Sequence, residues 1–481
     1  MESSRSASRH QRCARSCPGT KIDLQFVNVR PDDQDQRTKT RAIVRANAAH
    51  FHWRHNRPPQ DKAIVEQSGR GTVFRQDKMR PMNSTQRGPN VNPPLSYNCD
   101  FPSVLVNHCI AFNAEVVLPA LFPDGANSSN IRASLIQMSI SNPCVLHIFI
   151  TGALTNFPQG TLGDTPSDRI ALDMFRSRAE MVRSLSIAIK DPVEACKDIN
   201  IFAIVALAKA GKFQKVEEMP LKTPKQGPLK SLQLLNWLAL SEIDPIHFDG
   251  LSKLIELKGG LEKIEIPGLA ALISIGGLLV GTRECTAPRF PVVPLSCLSR
   301  EFIFHGQGMG FGTDQDLYMV LSMLDSYTIM IDDFCEGRKI VTASVLIDHR
   351  NTTQHALLSL PPRVGRSECY RLAALIYSLL VTFPLPYSVA PFKYLVTQLR
   401  IALTEWDGDD HMLVWVLTVG GIGATGLGER VWFMKKLQDA AMRIGVRSWI
   451  ELRDIIRRGL WHEATNDRDG QDLWLESRIA N

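Results

Sequence analysis

Two segments near the carboxyl terminus decide the fold: LVWVLTVGGIGATGLGERVWFMKKL (413–437) and RSWIELRDIIRRGLWHE (447–463). They lie within the last 76 residues, which hold six of the eight tryptophans. Large aromatic side chains at such even spacing predict a succession of short helices that share one core. We expect the anchors of this core to be Trp415, Trp432, Trp449 and Trp461.

From about Phe101 onward, the chain has the pattern of one helix after another. In residues 167–190, apolar side chains recur at the spacing of a single helix face. The predicted stripe consists of Ile170, Met174, Met181, Leu185 and Ile189. Alternating, strand-like patterns are rare, so the body of the chain is predicted to be all-α.

Capping residues mark several of the predicted helix ends. Asp-Pro pairs at 191–192 and 244–245 each offer an N-cap carboxylate followed by proline in the first helical position. The first of these helices is expected to carry the apolar run 201–210. The second is expected to bury Leu251, Leu254 and Leu257. Ser448 and Glu451 have the spacing of a capping box.

The net charge of +6 is unevenly distributed along the chain. Residues 1–100 carry 18 Lys and Arg against 9 Asp and Glu, whereas residues 101–481 carry 37 against 40. The sequence therefore predicts a basic tail (1–60), a polar linker rich in glycine and proline (61–100) and a helical domain (101–481). The tail is expected to be largely disordered.

Within the tail, residues 34–57 have the pattern of a helix with a basic stripe. Arginine offers forked donors to phosphate, and tryptophan offers a surface on which bases stack. The candidate contacts to nucleic acid or to the import machinery are Arg37, Arg41, Arg45, Trp53, Arg54 and Arg57. The same composition is compatible with an exposed helix or with a solvated tail that has no partner.

No membrane, metal or cofactor is expected from the remaining composition. The apolar runs 266–282 and 413–428 are at the short limit of a membrane span and rich in glycine, which favours buried core helices. Among the ten cysteines, Cys13 and Cys17 form a close pair that supplies only half of a zinc site. The N-terminus lacks the apolar region of a secretory signal.

Two motifs resemble ligand sites without the context that such sites need. Gly421–Gly426 matches G-x-G-x-x-G, but helical patterns flank it, which favours a close approach of helices or a helix end. Asp332, Asp333 and Glu336 resemble the magnesium cluster of all-α terpene synthases. Their second metal motif is incomplete at Asn466-Asp467, so the cluster is interpreted as the end of a helix over 314–335.

Isolated histidines complete the list of chemically notable side chains. Each is expected to face solvent or to be hydrogen-bonded internally, because none lies near a catalytic partner in the sequence. They are His247, His305, His349 and His355. No catalytic residue is predicted, and an enzyme is not expected.

Several segments, in their order along the chain, resemble the fungal-specific transcription-factor regulatory domain. The resemblance covers about 26–58 and 101–475. It rests on FVNVRPDD (26–33), TRAIVRANAAHFHWR (40–54), HFDGLSKLIELKGGLEKI (247–264), PGLAALIS (267–274), APRFP (287–291), ECYRLAALIYSLL (368–380), LVWVLTVGGIGA (413–424), RVWFMKKL (430–437) and SWIELRDIIRRGLWHE (448–463). Phe248 and Lys258 replace the family's usual residues at two positions. The six cysteines of the family's zinc cluster are not matched by Cys13 and Cys17.

This resemblance implies a large multi-helix regulatory domain and a role in transcription by RNA polymerase II, without recognition of DNA through a zinc cluster. Expected partners are DNA through the basic tail, other transcription regulators and a second copy of the chain. The expected location is the nucleus, or the cytoplasm if the tail is not an import signal. The alternatives are an interaction or scaffold protein of the same fold, and an all-α enzyme that uses the DDFCE cluster at 332–336.

Overall fold

The residues that the computed structural model describes form helices joined by turns, with no strand among them. They are residues 99–123, 127–156, 167–209, 223–239, 243–296, 314–338, 341–386 and 389–479. All of them belong to the unit Asn90–Asn481. The predicted all-α fold is confirmed, whereas the predicted basic tail and nearly all of the predicted linker lie outside the described residues.

The helices are numbered in chain order. The first nine are α1 Ser103–Phe112, α2 Leu118–Leu121, α3 Ser128–Ser141, α4 Pro143–Asn156, α5 Ser167–Ala188, α6 Pro192–Ala195, α7 Asp198–Lys209, α8 Leu235–Leu238 and α9 Pro245–Lys258. The next nine are α10 Leu269–Glu284, α11 Gln315–Cys335, α12 Ala343–Ser359, α13 Gly365–Tyr377, α14 Val389–Ala402, α15 Asp410–Gly423, α16 Arg430–Arg443, α17 Trp449–Ile456 and α18 Glu463–Ile479. Asn113–Val117 and Ser378–Thr382 are π-helical turns.

Capping explains several helix ends as the sequence predicts. The Asp244 carboxylate accepts from the backbone N–H groups of Ile246 and His247, and Gly259 ends α9 in the left-handed conformation with φ 95°. Ser448 and Glu451 form the expected capping box at the start of α17. Each of these contacts satisfies backbone groups that a helix end otherwise leaves unpaired.

Three sequence expectations about helices are wrong in detail. Leu257 is 69 % exposed, and Ile255 takes its place on the buried face of α9. Ile189 lies beyond the end of α5 and is 59 % exposed. The single helix expected after 191 is broken between Ala195 and Asp198, although Asp191 does cap its first turn. In the first two cases an apolar residue close to a helix end lies outside the buried face.

The core consists of two large apolar clusters and a small one. Helices α11 to α18 supply most of the C-terminal cluster, which also takes Leu235 and Leu278 from earlier in the chain. Helices α3 to α10 form most of the N-terminal cluster, and the small cluster joins α1 to α4. Helix α10 and most of α15 are buried, which confirms the interpretation of both apolar runs as core helices.

Helix α12 lies where the two large clusters meet. Its Leu346 belongs to the C-terminal cluster and its neighbour Ile347 to the N-terminal cluster. Between them and the end of the helix lies the buried Arg350, which is 1 % exposed. Its guanidinium donates to the Leu232 carbonyl oxygen at 2.9 Å and also to the side-chain oxygen of Gln233.

Among the described residues, one helical run is long and apolar enough to cross a bilayer, namely Ser103–Leu121. Helices α3 and α4, which meet at a sharp bend, are also long and apolar enough if they are taken together as one broken span. These are weak indications, because core helices of globular proteins have the same length and composition. Val106 and Cys109 in this run are fully buried in the small cluster.

The predicted tryptophan anchors divide into two groups. Trp415 is fully buried, and its indole N–H donates to the Leu460 carbonyl oxygen at 2.9 Å. Trp432, Trp449 and Trp461 are half-buried and pack against the edge of the C-terminal cluster. The expectation of an anchor deep in the core is therefore confirmed for Trp415 alone of the four.

Replacing Trp415 by alanine should lower the free energy of unfolding by about 3–5 kcal/mol, because a full indole is removed from a closed core. Trp432→Ala should cost only about 1–3 kcal/mol, since part of that side chain is already in water. Chemical denaturation followed by circular dichroism measures both. Equal losses for the two variants would contradict the burial described here.

Candidate functional site

The six candidate contacts in the basic tail lie outside the described residues. They are Arg37, Arg41, Arg45, Trp53, Arg54 and Arg57. Their assignment to nucleic acid or to nuclear import therefore stays a prediction. Cys13, Cys17 and His305 also lie outside the described residues.

The acidic cluster at the end of α11 is held by the nearby Arg338 and by His462, which directly precedes α18. The Asp332 carboxylate lies 3.0 Å from Nε2 of His462. The Arg338 guanidinium donates to Asp333 at 2.9 Å and to Glu336 as well. The three carboxylates thus serve two separate sets of contacts, at and just beyond the last turn of α11.

The second half of the terpene-synthase pattern is engaged in the same way. Asp467 accepts from the Trp461 indole N–H at 2.8 Å and pairs with Arg453 at 2.7 Å. The Asn466 side chain accepts from the backbone N–H of His462 at 3.3 Å. Within the described ranges, no three histidine, cysteine or acidic side chains come together as a metal site would need. The interpretation of 332–336 as a helix end is confirmed.

The glycine-rich match at Gly421–Gly426 is a site of close helix packing. A Cβ on Gly421 would lie 2.5 Å from Leu473 of α18, and one on Gly423 would lie 2.7 Å from Ile376 of α13. Both glycines belong to α15, so neither lies in a loop between a strand and a helix. The absence of a side chain lets α13 and α18 approach α15 closely, as the sequence interpretation expects.

Gly421→Ala should therefore destabilise the protein by about 1–3 kcal/mol, because the new methyl group overpacks the contact with Leu473. Gly428→Ala is the matched control, since nothing lies within 4 Å of a Cβ placed there. Thermal melting with and without NAD or ATP separates packing from nucleotide binding. A nucleotide-dependent rise in Tm that Gly421→Ala abolishes would contradict the packing role.

The sequence does not indicate the role of His462, which becomes evident only in the fold. The residue is 1 % exposed, and its two ring nitrogens face Thr465 at 2.6 Å and Asp332 at 3.0 Å. Burial lowers the pKa of the imidazole below its ordinary value, although the Asp332 carboxylate opposes this shift. Asp332 is 130 residues away in the sequence, so no local pattern could have paired them.

Of the histidines named from the sequence, His247, His349 and His355 are described, and all three are half-buried. The His247 imidazole lies 3.2 Å from the Asp244 carboxylate. The His355 ring faces the Ser359 hydroxyl at 3.4 Å. Burial lowers the pKa of both His349 and His355. None of these three belongs to a catalytic arrangement among the residues that the structure describes.

A histidine whose pKa is lowered by folding stabilises the protein above pH 6.5, and this stability is lost as the pH falls through the folded-state pKa. Stability should therefore decrease on acidification below pH 6.5. In His462→Gln the dependence should be shallower, by up to about 1.4 kcal/mol per pH unit. Urea denaturation between pH 7.5 and 5.5 measures the slopes, and His411→Gln, at an exposed position, serves as the control. Identical slopes for His462→Gln and the wild type would refute this assignment.

One known family matches a segment in the C-terminal part of the fold. Residues 295–477 match the model of the family described as fungal specific transcription factor domain. The match spans α11 to α18, and with them most of the C-terminal cluster. The resemblance found in the sequence is therefore confirmed over this range. No curated protein and no solved structure matches the chain.

Proposed function

Residues 295–477 form a fungal specific transcription factor domain, and from this premise we propose that the protein regulates transcription by RNA polymerase II. The helical body acts as the regulatory part, and the basic tail directs the protein to the nucleus or contacts DNA. Its partners in this role are other transcription regulators. The family match is the one observation that carries this proposal.

The charge distribution supports separate roles for the basic tail and the helical body. The first 100 residues hold twice as many basic as acidic side chains, whereas the remainder is nearly balanced. A basic segment attached to a near-neutral folded body fits binding to a polyanion or to an import receptor. The spacing of Cys13 and Cys17 does not fit a zinc cluster, so base recognition by such a cluster is not part of the proposal.

A tethered reporter tests the regulatory role directly. The full chain, fused to an unrelated DNA-binding module that carries its own nuclear-import signal, should change transcription of a reporter that carries the module's site. The module alone is the negative control. A fusion with Arg41, Arg45 and Arg54 changed to alanine should keep the effect, because the module now supplies DNA binding. Reporter output equal to that of the module alone would refute the proposal.

Direct DNA contact by the tail is a separate prediction. Purified full-length protein should bind duplex DNA with an affinity that falls as salt rises, and the slope of log K against log salt should decrease by about 0.9 for each phosphate contact removed. The triple variant at Arg41, Arg45 and Arg54 should therefore bind more weakly and with a shallower slope.

The matched control changes Arg70, Arg75 and Arg80 to alanine, which removes the same charge from the predicted linker. If both triple variants lose affinity equally, the tail acts through net charge alone. If neither loses affinity, the tail is not a DNA contact. Fluorescently tagged forms of the same variants report import, and a wild-type protein that stays in the cytoplasm would refute the nuclear assignment.

A further inference from the structure

Helix α5 has two faces with apolar residues, and within the described part of the chain only one of them is buried. The inner face packs against α4 through Met181 and Leu185, which are 0 % and 7 % exposed. On the same face, the Ser177 hydroxyl donates to the His147 carbonyl oxygen of α4 at 2.9 Å. These contacts fix the rotation of α5 about its axis, and with it the residues that point outward.

The outer face carries a mostly apolar strip, which we call the outer strip. It consists of Leu172, Phe175, Ala179, Val182 and Ser186 on α5 and of Ile189 just beyond its end. All six are exposed, and Phe175, Ile189 and Val182 are 68 %, 59 % and 50 % exposed. Consecutive members are three, four, three, four and three residues apart. This is the spacing of the contact seam between two packed helices, and the part of the strip on α5 is about 21 Å long.

A basic row runs beside the outer strip, one residue in every seven. It consists of Arg169, Arg176, Arg183 and Lys190, and all four are exposed. The Arg176 and Arg183 side chains pair with Asp173 and Glu180 of the same helix at 3.6 Å and 2.6 Å. The Arg183–Glu180 pair is exposed on both sides and contributes little stability, whereas Asp173 is buried and only Arg176 of its pair reaches solvent. Both guanidiniums are therefore accessible to an incoming carboxylate.

An open groove borders the basic row. Its volume is about 1060 Å³. From α5 it is lined by Phe175, Arg176, Arg183 and Ile187, and the opposite wall includes Phe101 and Pro143. Glu180 and Asp100 also line the groove, so its charge is mixed. A helix seated on the outer strip can place one flank beside Arg176 and Arg183 at the edge of this groove.

We propose that the outer strip of α5 is a docking surface for an acidic amphipathic helix of a partner protein, with apolar residues on the strip and carboxylates against Arg176 and Arg183. The spacing of the outer strip matches a helical partner, and the basic row favours a partner with acidic residues on its flank. Because a single short helix buries a small area, the complex is of the weak, exchanging class.

The flanking charges argue against a second copy of this chain as the occupant. An antiparallel pair of α5 helices would place the basic row of one copy against that of the other. In a parallel pair, the basic row of one copy would face the opposite flank of the other copy's helix. That flank includes Arg178 and no acidic residue. Like charges across a helix seam weaken pairing, whereas glutamates on a partner would strengthen it.

Fluorescence anisotropy with the full chain and designed peptides tests the proposal. The probe is a labelled 21-residue helix with leucine at the seam positions and glutamate on both flanks. It should bind, and its affinity should fall as salt screens the charges. A matched peptide with lysine in place of every glutamate should bind at least about 10-fold more weakly.

Protein variants locate the site. Phe175→Ser with Val182→Ser removes two exposed apolar contacts and should abolish binding without lowering Tm. Arg176→Glu with Arg183→Glu should reverse the preference, so that the lysine peptide binds better than the glutamate peptide. Leu257→Ser, at an exposed apolar position on α9, should change nothing.

Three results would overturn the proposal. The first is equal binding of both peptides to the wild type, and the second is unchanged glutamate-peptide binding in the serine variant. The third is a strip that is already covered in the isolated protein. A dimer that the serine variant dissociates in analytical ultracentrifugation would assign the strip to a second copy. A monomer in which the serine variant lowers Tm would assign the strip to another segment of this chain, because the two side chains would then already be buried.

Discussion

The buried guanidinium of Arg350 is the interaction on which the two large clusters depend. It donates to the Leu232 carbonyl oxygen and to Gln233, and it stacks 5.3 Å from the Phe383 ring. Burial lowers its pKa to about 10, so it stays charged at neutral pH. Removing a charge from water is costly, and neutral acceptors together with an aromatic face offset that cost only if they are well placed. Segment 232–234 is thereby held in a left-handed turn at Gln233 and Leu234, a conformation that side chains disfavour.

Other buried polar side chains of helix α12 also fix the positions of neighbouring segments. The Asp348 carboxylate accepts from the backbone N–H groups of Leu295 and Ser296, each at 2.7 Å. The Gln354 side chain donates to the Thr282 hydroxyl at 3.1 Å and accepts from Ser378. These buried polar side chains specify where α10, the chain near 295 and the π-helical turn at Ser378–Thr382 lie relative to α12. Apolar packing alone would tolerate small shifts among them.

Local patterns in the sequence were enough to predict the helical class, the Asp244 and Ser448 caps and the packing role of Gly421–Gly426. These features depend on periodicity, turn chemistry and steric size within a few residues. The polar contacts of Arg350 and His462 could not be predicted, because each joins residues more than 100 positions apart. The exposure of Ile189 and Leu257 was missed for a related reason: apolar periodicity shows that a face exists, but tertiary packing decides which face is covered. Of the candidate site, the sequence interpretation of 332–336 as a helix end and of Gly421–Gly426 as close helix packing is confirmed. The predicted contacts lie in a tail outside the described residues.

The composition of the C-terminal cluster separates two ways of defining a domain. Sequence similarity begins at residue 295, yet Leu235, Leu238, Ile275, Leu278 and Leu279 are built into the same core as α11 to α18. The segment that matches the family and the segment that contributes to this core therefore begin at different residues. Exchange of residues 295–477 between relatives would succeed only where the recipient already presents side chains of matching volume from its preceding helices. Divergence before residue 295 is accordingly constrained on the inward faces of α8 and α10 and freer on outward faces such as that of α5.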